Sequence, residues 1–466
     1  MKPGSNAVTA LPSRNARFPV WLRVFEPALA IPITQTDPAT LQASYERWRW
    51  RVLFWSILGY AIFYFVRSNL PIAMPEIEKT LGISKSQLGL FLTLNGVLYG
   101  ISKLANGFFG DRCNARSFMV VGLLGSAALN LIFGFSSTVA VFGVVWMVNG
   151  WFQGMGFPPC ARLLTHWFPP KQLATKMSIW NTSHCIGAIG ILILCGQLVE
   201  INWRLCFWVP AAIAAVCACL LWLFLPDTPP SVGLPEVPGT QTSAAAAASG
   251  SDFKAFLLDP IFRNKYIWLF SLANFFVYTL RYSFYDWGTT LLTQTRHVSI
   301  GNAVWLVVGF ELAGLLGALV AGWLTDRFFG GRVVQACVAF MVLAGISILL
   351  FWKVAGDSKP LNLLLLCATG FFIYGPQCLV GIAVANLATK RAAATAVGLT
   401  GLFGYFSKIL SGVGLGTLVQ YHGWDAGFAS LVGIAVIGTV VFALAWPAKA
   451  HGYDVETGVT ATGKSR

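Results

Sequence analysis

The chain has 466 residues, is 56% hydrophobic and only 11% charged, and has a mean hydropathy of +0.67. Soluble proteins carry about a quarter charged residues, so a water-soluble enzyme is excluded as the bulk of the molecule. The net charge of +14 also fails as a nucleic-acid signal once the bases are located. With the N-terminus in the cytoplasm, 22 of the 32 Lys and Arg fall in cytoplasmic tails and loops. Six (Lys79, Lys85, Arg204, Arg296, Lys353, Lys359) fall in outer loops, which is the positive-inside asymmetry.

Residues 1–51 read as a cytoplasmic tail without a cleavable signal peptide, its short apolar patch broken by Pro19, Pro27 and Pro32. Twelve apolar stretches follow, at about 52–75, 88–110, 117–136, 139–163, 175–199, 204–226, 266–293, 302–325, 332–354, 361–387, 394–420 and 426–447. Each is long enough to span a hydrocarbon core of about 30 Å, and in lipid the backbone must satisfy itself, so these are helices. Residues 227–262 open with a proline-rich run and continue Ser/Ala/Gly-rich, which reads as a flexible cytoplasmic linker. The expected fold is therefore an all-α membrane protein: a six-helix bundle over 52–226, a second over 263–447, and a cytoplasmic tail over 448–466. The ten cysteines show no metal-ligand spacing and read as small buried hydrophobes; neither metal nor cofactor is expected.

The halves resemble each other. Gly107-Phe-Phe-Gly-Asp111-Arg112-Cys-Asn-Ala-Arg116 follows the second stretch, and Gly322-Trp-Leu-Thr-Asp326-Arg327-Phe-Phe-Gly-Gly-Arg332 follows the eighth. The same offset carries Arg67 of Tyr64-Phe-Val-Arg67 to within one residue of Arg281 in Tyr278-Thr-Leu-Arg281. Gly154-Met-Gly156-Phe-Pro158-Pro159 and Tyr374-Gly-Pro376 match as well, and predict symmetric helix breaks around a central cavity. The paired loops resemble the cytoplasmic gating signature of the major facilitator superfamily, whose two halves are parallel repeats.

Six charged residues stand deep inside the apolar stretches, away from their ends: Arg67, Lys103, Arg281, Lys408, Asp286 and Glu311. A cation there costs about 2.5–3.5 kcal/mol on insertion scales. Arg67 and Arg281, at matching depth, form an anion site suited to phosphate, because guanidinium gives a charged, bidentate fork. Lys103 lies about 12 Å up the second helix from Asp111, on one face with Tyr99, and reads as a cavity residue. Asn181 and His184 occupy the fifth helix at the level of Lys408; His184 is either a packing residue or a titratable ligand. Asp286 and Glu311 either carry a proton or balance Arg281 and Lys408 when the site is empty.

These motifs, with Trp180-Asn-Thr-Ser-His184 and Gly401-Leu-Phe-Gly-Tyr405, resemble the organophosphate:phosphate antiporter family from about Tyr45 to Pro447. Gly156-Phe-Pro-Pro-Cys-Ala-Arg and Phe310-Glu-Leu-Ala-Gly are closest to its hexose-phosphate transporter and receptor branch. The resemblance implies that Arg67 and Arg281 clamp the phosphoryl group, with Lys103 and His184 nearby. It also implies that Tyr60, Tyr64, Tyr99, Tyr278, Tyr374 and Tyr405 line the cavity. The implied activity is exchange of a hexose phosphate for inorganic phosphate by a monomer in a bacterial inner membrane, both termini cytoplasmic. The alternatives are a receptor signalling to a sensor kinase, or an antiporter for glycerol 3-phosphate or phosphoglycerate.

Overall fold

The structure, a computed structural model, describes residues 20–33, 37–110, 113–237, 263–354, 356, 358–387 and 393–448. Among them the regular elements are all helical. In chain order they are α1 (Pro38–Phe65), α2 (Leu70–Leu81), α3 (Lys85–Gly110), α4 (Ala115–Phe135), α5 (Val139–Gln153), α6 (Phe157–Trp167), α7 (Pro170–Asn181), α8 (Ser183–Ile201) and α9 (Leu205–Phe224). After the linker come α10 (Lys265–Thr295), α11 (Ile300–Phe328), α12 (Val333–Lys353), α13 (Lys359–Leu387), α14 (Ala393–Phe406), a π turn (Ile409–Gly414) and α15 (Leu415–Leu444). Polar caps start several of them. Asp37 accepts from Thr40 N (3.0 Å), Asn114 from Ser117 N (3.2 Å), Asn264 from Tyr266 N (3.0 Å) and Ser299 from Asn302 N (3.4 Å), each satisfying a donor the first turn leaves free.

Among the described residues, ten helical stretches are long and apolar enough to cross a membrane. Helix α10 is not among them, because Asn274, Arg281, Asp286 and its many tyrosines dilute its hydropathy. The stretch Ala396–Leu444 has 49 residues, about 74 Å at 1.5 Å per residue and more than two hydrocarbon thicknesses. Gly423 (φ 75°, ψ 175°) breaks it. Twelve crossings thus remain an assignment that gives α10 one crossing and divides the last stretch at Gly423.

Helices α1–α9 pack largely among themselves, as do α10–α15, and the two groups meet through α8 with α11, α2 with α10, and α3 with α14, the π turn and α15. We call the end that carries Arg49, Arg51, Arg116, Arg162, Arg327 and Arg332 the basic end. At the opposite end the groups touch backbone to backbone. A Cβ on Gly89 would sit 2.4 Å from Gly412 O, and one on Gly416 2.6 Å from Lys85 O. Hydrogen bonds join them there: Lys85 N to Gln420 Oε1 (2.9 Å), Gln294 Nε2 to Glu78 Oε2 (3.0 Å) and Gly301 N to Glu200 Oε1 (3.2 Å). Toward the basic end α3 and α14 part, and a Cβ on Gly107, Gly398 or Gly401 would meet nothing within 4 Å.

Two expectations change. The break at Gly154–Gly156 does separate α5 from α6, but Pro376 sits inside a continuous α13, so the two proline sites are not symmetric interruptions. The start of the linker is packed rather than free. Asp227 is buried, accepting from Ala115 N (2.9 Å), Arg162 Nη1 (2.8 Å) and Ala28 N (3.2 Å), while the Tyr45 hydroxyl donates to Pro235 O. A buried carboxylate needs such partners, and they tie the N-terminal segment and linker to the basic end of the first bundle. Residues 238–262 and the tail 449–466 lie outside the described residues.

Candidate functional site

Arg67 does not lie in a helix. It occupies the break between α1 and α2, where Pro71 opens the next helix and the ladder is interrupted. The carbonyl freed there, Val66 O, accepts from two buried amides, Asn130 Nδ2 (2.9 Å) and Asn149 Nδ2 (2.8 Å). Asn69 Nδ2, in the same break, donates to Asn130 Oδ1 and Cys206 O (2.8 Å each). This amide cluster holds Arg67 in place. Arg281, in contrast, projects from mid-helix on α10.

Both guanidiniums line one cavity between the bundles. Tyr64, Tyr99, Tyr405, Lys408 and Asp286 line it too, together with Ser68, Asn95, Tyr282 and Tyr285. The Tyr99 and Tyr405 rings meet edge to face (4.7 Å, 88°).

The charges are arranged in distinct ways. Lys408 Nζ pairs with Asp286 Oδ2 and lies 3.7 Å from the centre of the Tyr282 ring. Its position is set by the π turn that follows it: the Thr93 hydroxyl donates to Lys408 O (2.7 Å) and accepts from Val413 N (2.9 Å), filling the gap in the ladder. Arg281 Nε donates to the Tyr374 hydroxyl (2.8 Å), which donates to Glu311 Oε1, while Arg281 Nη2 stands 3.9 Å from Glu311 Oε2. Arg67 and Lys103 have no carboxylate within salt-bridge distance among the described residues. Instead Arg67 lies over the rings of Tyr64 (4.0 Å) and Tyr99 (4.9 Å), and Lys103 Nζ over Phe157 (4.1 Å). Ring quadrupoles stabilise a cation without neutralising it, so two positive charges stay available to an anion.

Lys103, His184, Asn181, Tyr60, Tyr278, Tyr374 and Glu311 are not in the lining of this cavity, and most of them adjoin residues that are. Lys103 Nζ donates to the Tyr405 hydroxyl (3.3 Å). The His184 ring packs on Tyr60 (4.9 Å) and Tyr64 (5.7 Å), with Nδ1 at 2.9 Å from Asn181 O; the Asn181 side chain is exposed. Tyr278 packs on Tyr282 (5.6 Å). Of the gating loops, Asp111 and Arg112 lie outside the described residues. Arg116 stacks on Trp222 (4.8 Å). Asp326, Arg327 and Arg332 are exposed and make no ion pair among the described residues. Sequence alone does not single out Ser68, Asn95, Tyr282 or Tyr285, nor the Asn69, Asn130 and Asn149 cluster. Adjacency to Arg67 and Arg281, and amides inside apolar helices, are the signals that point to them.

The family pattern described as Major Facilitator Superfamily matches residues 56–412 and 289–465. The glycerol-3-phosphate transporter of Bacillus subtilis is 36% identical over 437 residues, 91% of this chain and 98% of that one. A probable hexose phosphate transport protein of Chlamydia trachomatis is 36% identical over 450 residues, 92% of this chain and 97% of its own. The membrane sensor protein UhpC of Escherichia coli is 36% identical over 406 residues, covering 86% and 92%. Among solved structures, a bacterial homologue of the human lysosomal transporter Spinster, inward-facing and unoccupied, superposes with a TM-score of 0.73 at 16% identity, covering 88% of this chain and 98% of that one. The chain therefore belongs to the major facilitator superfamily, a family of transporters rather than enzymes, and within it to the organophosphate:phosphate antiporter branch.

Proposed function

We propose that the protein exchanges a hexose phosphate, glucose 6-phosphate foremost, for inorganic phosphate by alternating access across a bacterial inner membrane. The observation that carries this reading is that Arg67 and Arg281 open into one cavity, while the acids there are already engaged by Lys408 and by the Tyr374–Arg281 pair. A phosphoryl dianion supplies the missing negative charge, and the guanidinium forks supply oriented donors. The basic end is taken as cytoplasmic by the positive-inside rule, so the cavity opens inward in this conformation. With the site empty, the uncompensated cations oppose closure around a dry cavity. Phosphate or its ester relieves that repulsion, which favours exchange over leak.

The test is counterflow: proteoliposomes of the purified protein, loaded with phosphate, are given labelled phosphate and a panel of phosphate esters. Uptake that requires internal phosphate and ranks glucose 6-phosphate above glycerol 3-phosphate and phosphoglycerate supports the reading. A different ranking reassigns the ester. The likeness to a membrane sensor protein favours a second reading, a receptor for a sensor kinase. Absence of turnover in liposomes lacking any kinase, with ester binding retained, would select it.

A further inference from the structure

Past the arginines, toward the end where the bundles touch, the cavity wall carries the Lys408–Asp286 pair and, with it, three neutral polar side chains. Tyr285 lies four residues after Arg281, so one turn farther along α10 on the same side. The residue is only 7% exposed and lines the cavity, yet its hydroxyl makes no hydrogen bond of normal geometry. Ser68, next to Arg67 in the helix break and 6% exposed, stands beside it, within weak hydrogen-bonding reach of the hydroxyl. Asn95 completes the group. Its Nδ2 donates to Trp146 O (2.8 Å), which fixes the amide and leaves Oδ1 as the acceptor.

A buried phenol hydroxyl without a well-formed hydrogen bond costs up to about 1–3 kcal/mol, and native structures rarely leave one so. A single group that engages all three must donate to Asn95 Oδ1 as well as pair with the hydroxyls, because Tyr and Ser hydroxyls can do either while Asn95 Oδ1 only accepts. A phosphoryl dianion offers acceptors alone. An alcohol hydroxyl offers both.

We propose that Tyr285, Ser68 and Asn95 form the subsite that reads the hydroxylated body of the phosphate ester, with Tyr285 its central ligand. The ester then lies carbon skeleton toward the closed end, its phosphoryl group held behind it by Arg67 and Arg281. This inference rests on the phosphate-ester reading above and adds an orientation and a selectivity to it. Inorganic phosphate occupies the arginine level and leaves the hydroxyl subsite unused.

The experiment measures inhibition of labelled phosphate:phosphate exchange by glucose 6-phosphate and by butyl phosphate, which has the same phosphoryl group and no hydroxyl. Failure of the native protein to exchange phosphate would overturn the transport reading, a result distinct from failure of this subsite. In Tyr285→Phe, the glucose 6-phosphate concentration for half-inhibition should rise about three- to tenfold, the effect of one neutral hydrogen bond. Butyl phosphate should shift by less than about twofold on the same scale. Ser68→Ala, a smaller change in a wall position, should show the same selective pattern and stands in if Tyr285→Phe fails to assemble. Equal shifts for both esters, or none for either, in an assembled variant would overturn the proposal.

Discussion

Replacing Arg281 by Lys separates charge from geometry at the centre of the site. In the native protein Arg281 Nε donates to the Tyr374 hydroxyl at 2.8 Å, and Nη2 faces Glu311 at 3.9 Å. The fork thus engages the protein on one side and offers the rest of its donors to the cavity. A lysine ammonium is one point charge on a flexible stem. It can keep the long-range attraction and one of these interactions, but it cannot hold Tyr374 and a phosphoryl oxygen in fixed relation. Loss of one charge-assisted hydrogen bond is worth about 1.5–3 kcal/mol, so phosphate:phosphate exchange at low substrate should fall about ten- to a hundredfold. Lysine is the informative choice. Alanine would strand Glu311, whose side chain is 1% exposed, and an uncompensated buried charge destabilises by about 3–5 kcal/mol, mixing folding with function. The assay is initial exchange in proteoliposomes alongside the thermal unfolding midpoint of the same preparation. Exchange within about twofold of native, or a loss matched by a drop in thermal stability, would refute the assignment of Arg281 to the phosphoryl group.

Three further outcomes follow. Lys408→Ala should change the ranking of phosphate esters while sparing phosphate:phosphate exchange, and adding Asp286→Asn should recover expression lost by leaving Asp286 unpaired. Asn130→Ala removes bonds to Val66 O, Ser126 O and Asn69; at about 0.5–1.5 kcal/mol each it should lower the unfolding midpoint and also weaken exchange, because Arg67 loses its mount. With an inward proton gradient but no internal phosphate, vesicles should accumulate little sugar phosphate; sustained accumulation abolished by Glu311→Gln would instead establish proton symport. A pH dependence of exchange alone would decide nothing, since phosphate monoesters themselves titrate near pH 6.

Much of the cavity was legible because charge is conspicuous in an apolar chain. Arg67, Arg281, Lys408, Asp286 and Glu311 stand out by what they cost in lipid, and the repeat placed the arginines at one depth. What was not legible depends on neutral groups. Asn69, Asn130 and Asn149 are ordinary residues in a sequence. Only the fold shows that two of them converge on a single carbonyl freed by a helix break. The π turn is hidden for a similar reason, since Thr93, which fills it, lies 320 residues from Val413. The asymmetry of the proline sites could not be read either: Pro376 is accommodated within α13, whereas Gly154 and Gly156 together open the chain before α6.

The way the cations are stabilised bears directly on exchange. Had Arg67 and Lys103 been buried against carboxylates, the empty cavity would be neutral and free to close without cargo. The sequence instead surrounds them with tyrosine and phenylalanine faces, at 4.0 Å from Arg67 to Tyr64 and 4.1 Å from Lys103 to Phe157. Each such contact is worth about 0.5–2 kcal/mol, enough to offset part of the insertion cost and too little to cancel the charge. Folding is therefore tolerated, but closure over a vacant, dehydrated site is not favoured. The phenylalanine ring over Lys103 has no proton to exchange and keeps its effect at any pH, whereas an acidic partner would release the cation on protonation. On the exchange reading, this makes the requirement for a bound phosphoryl group a property of the cavity wall itself. Introducing an acid there, as in Tyr99→Asp, should raise leak relative to exchange, and leak unchanged in a folded variant would show that the empty site is restrained by something other than its uncancelled charge.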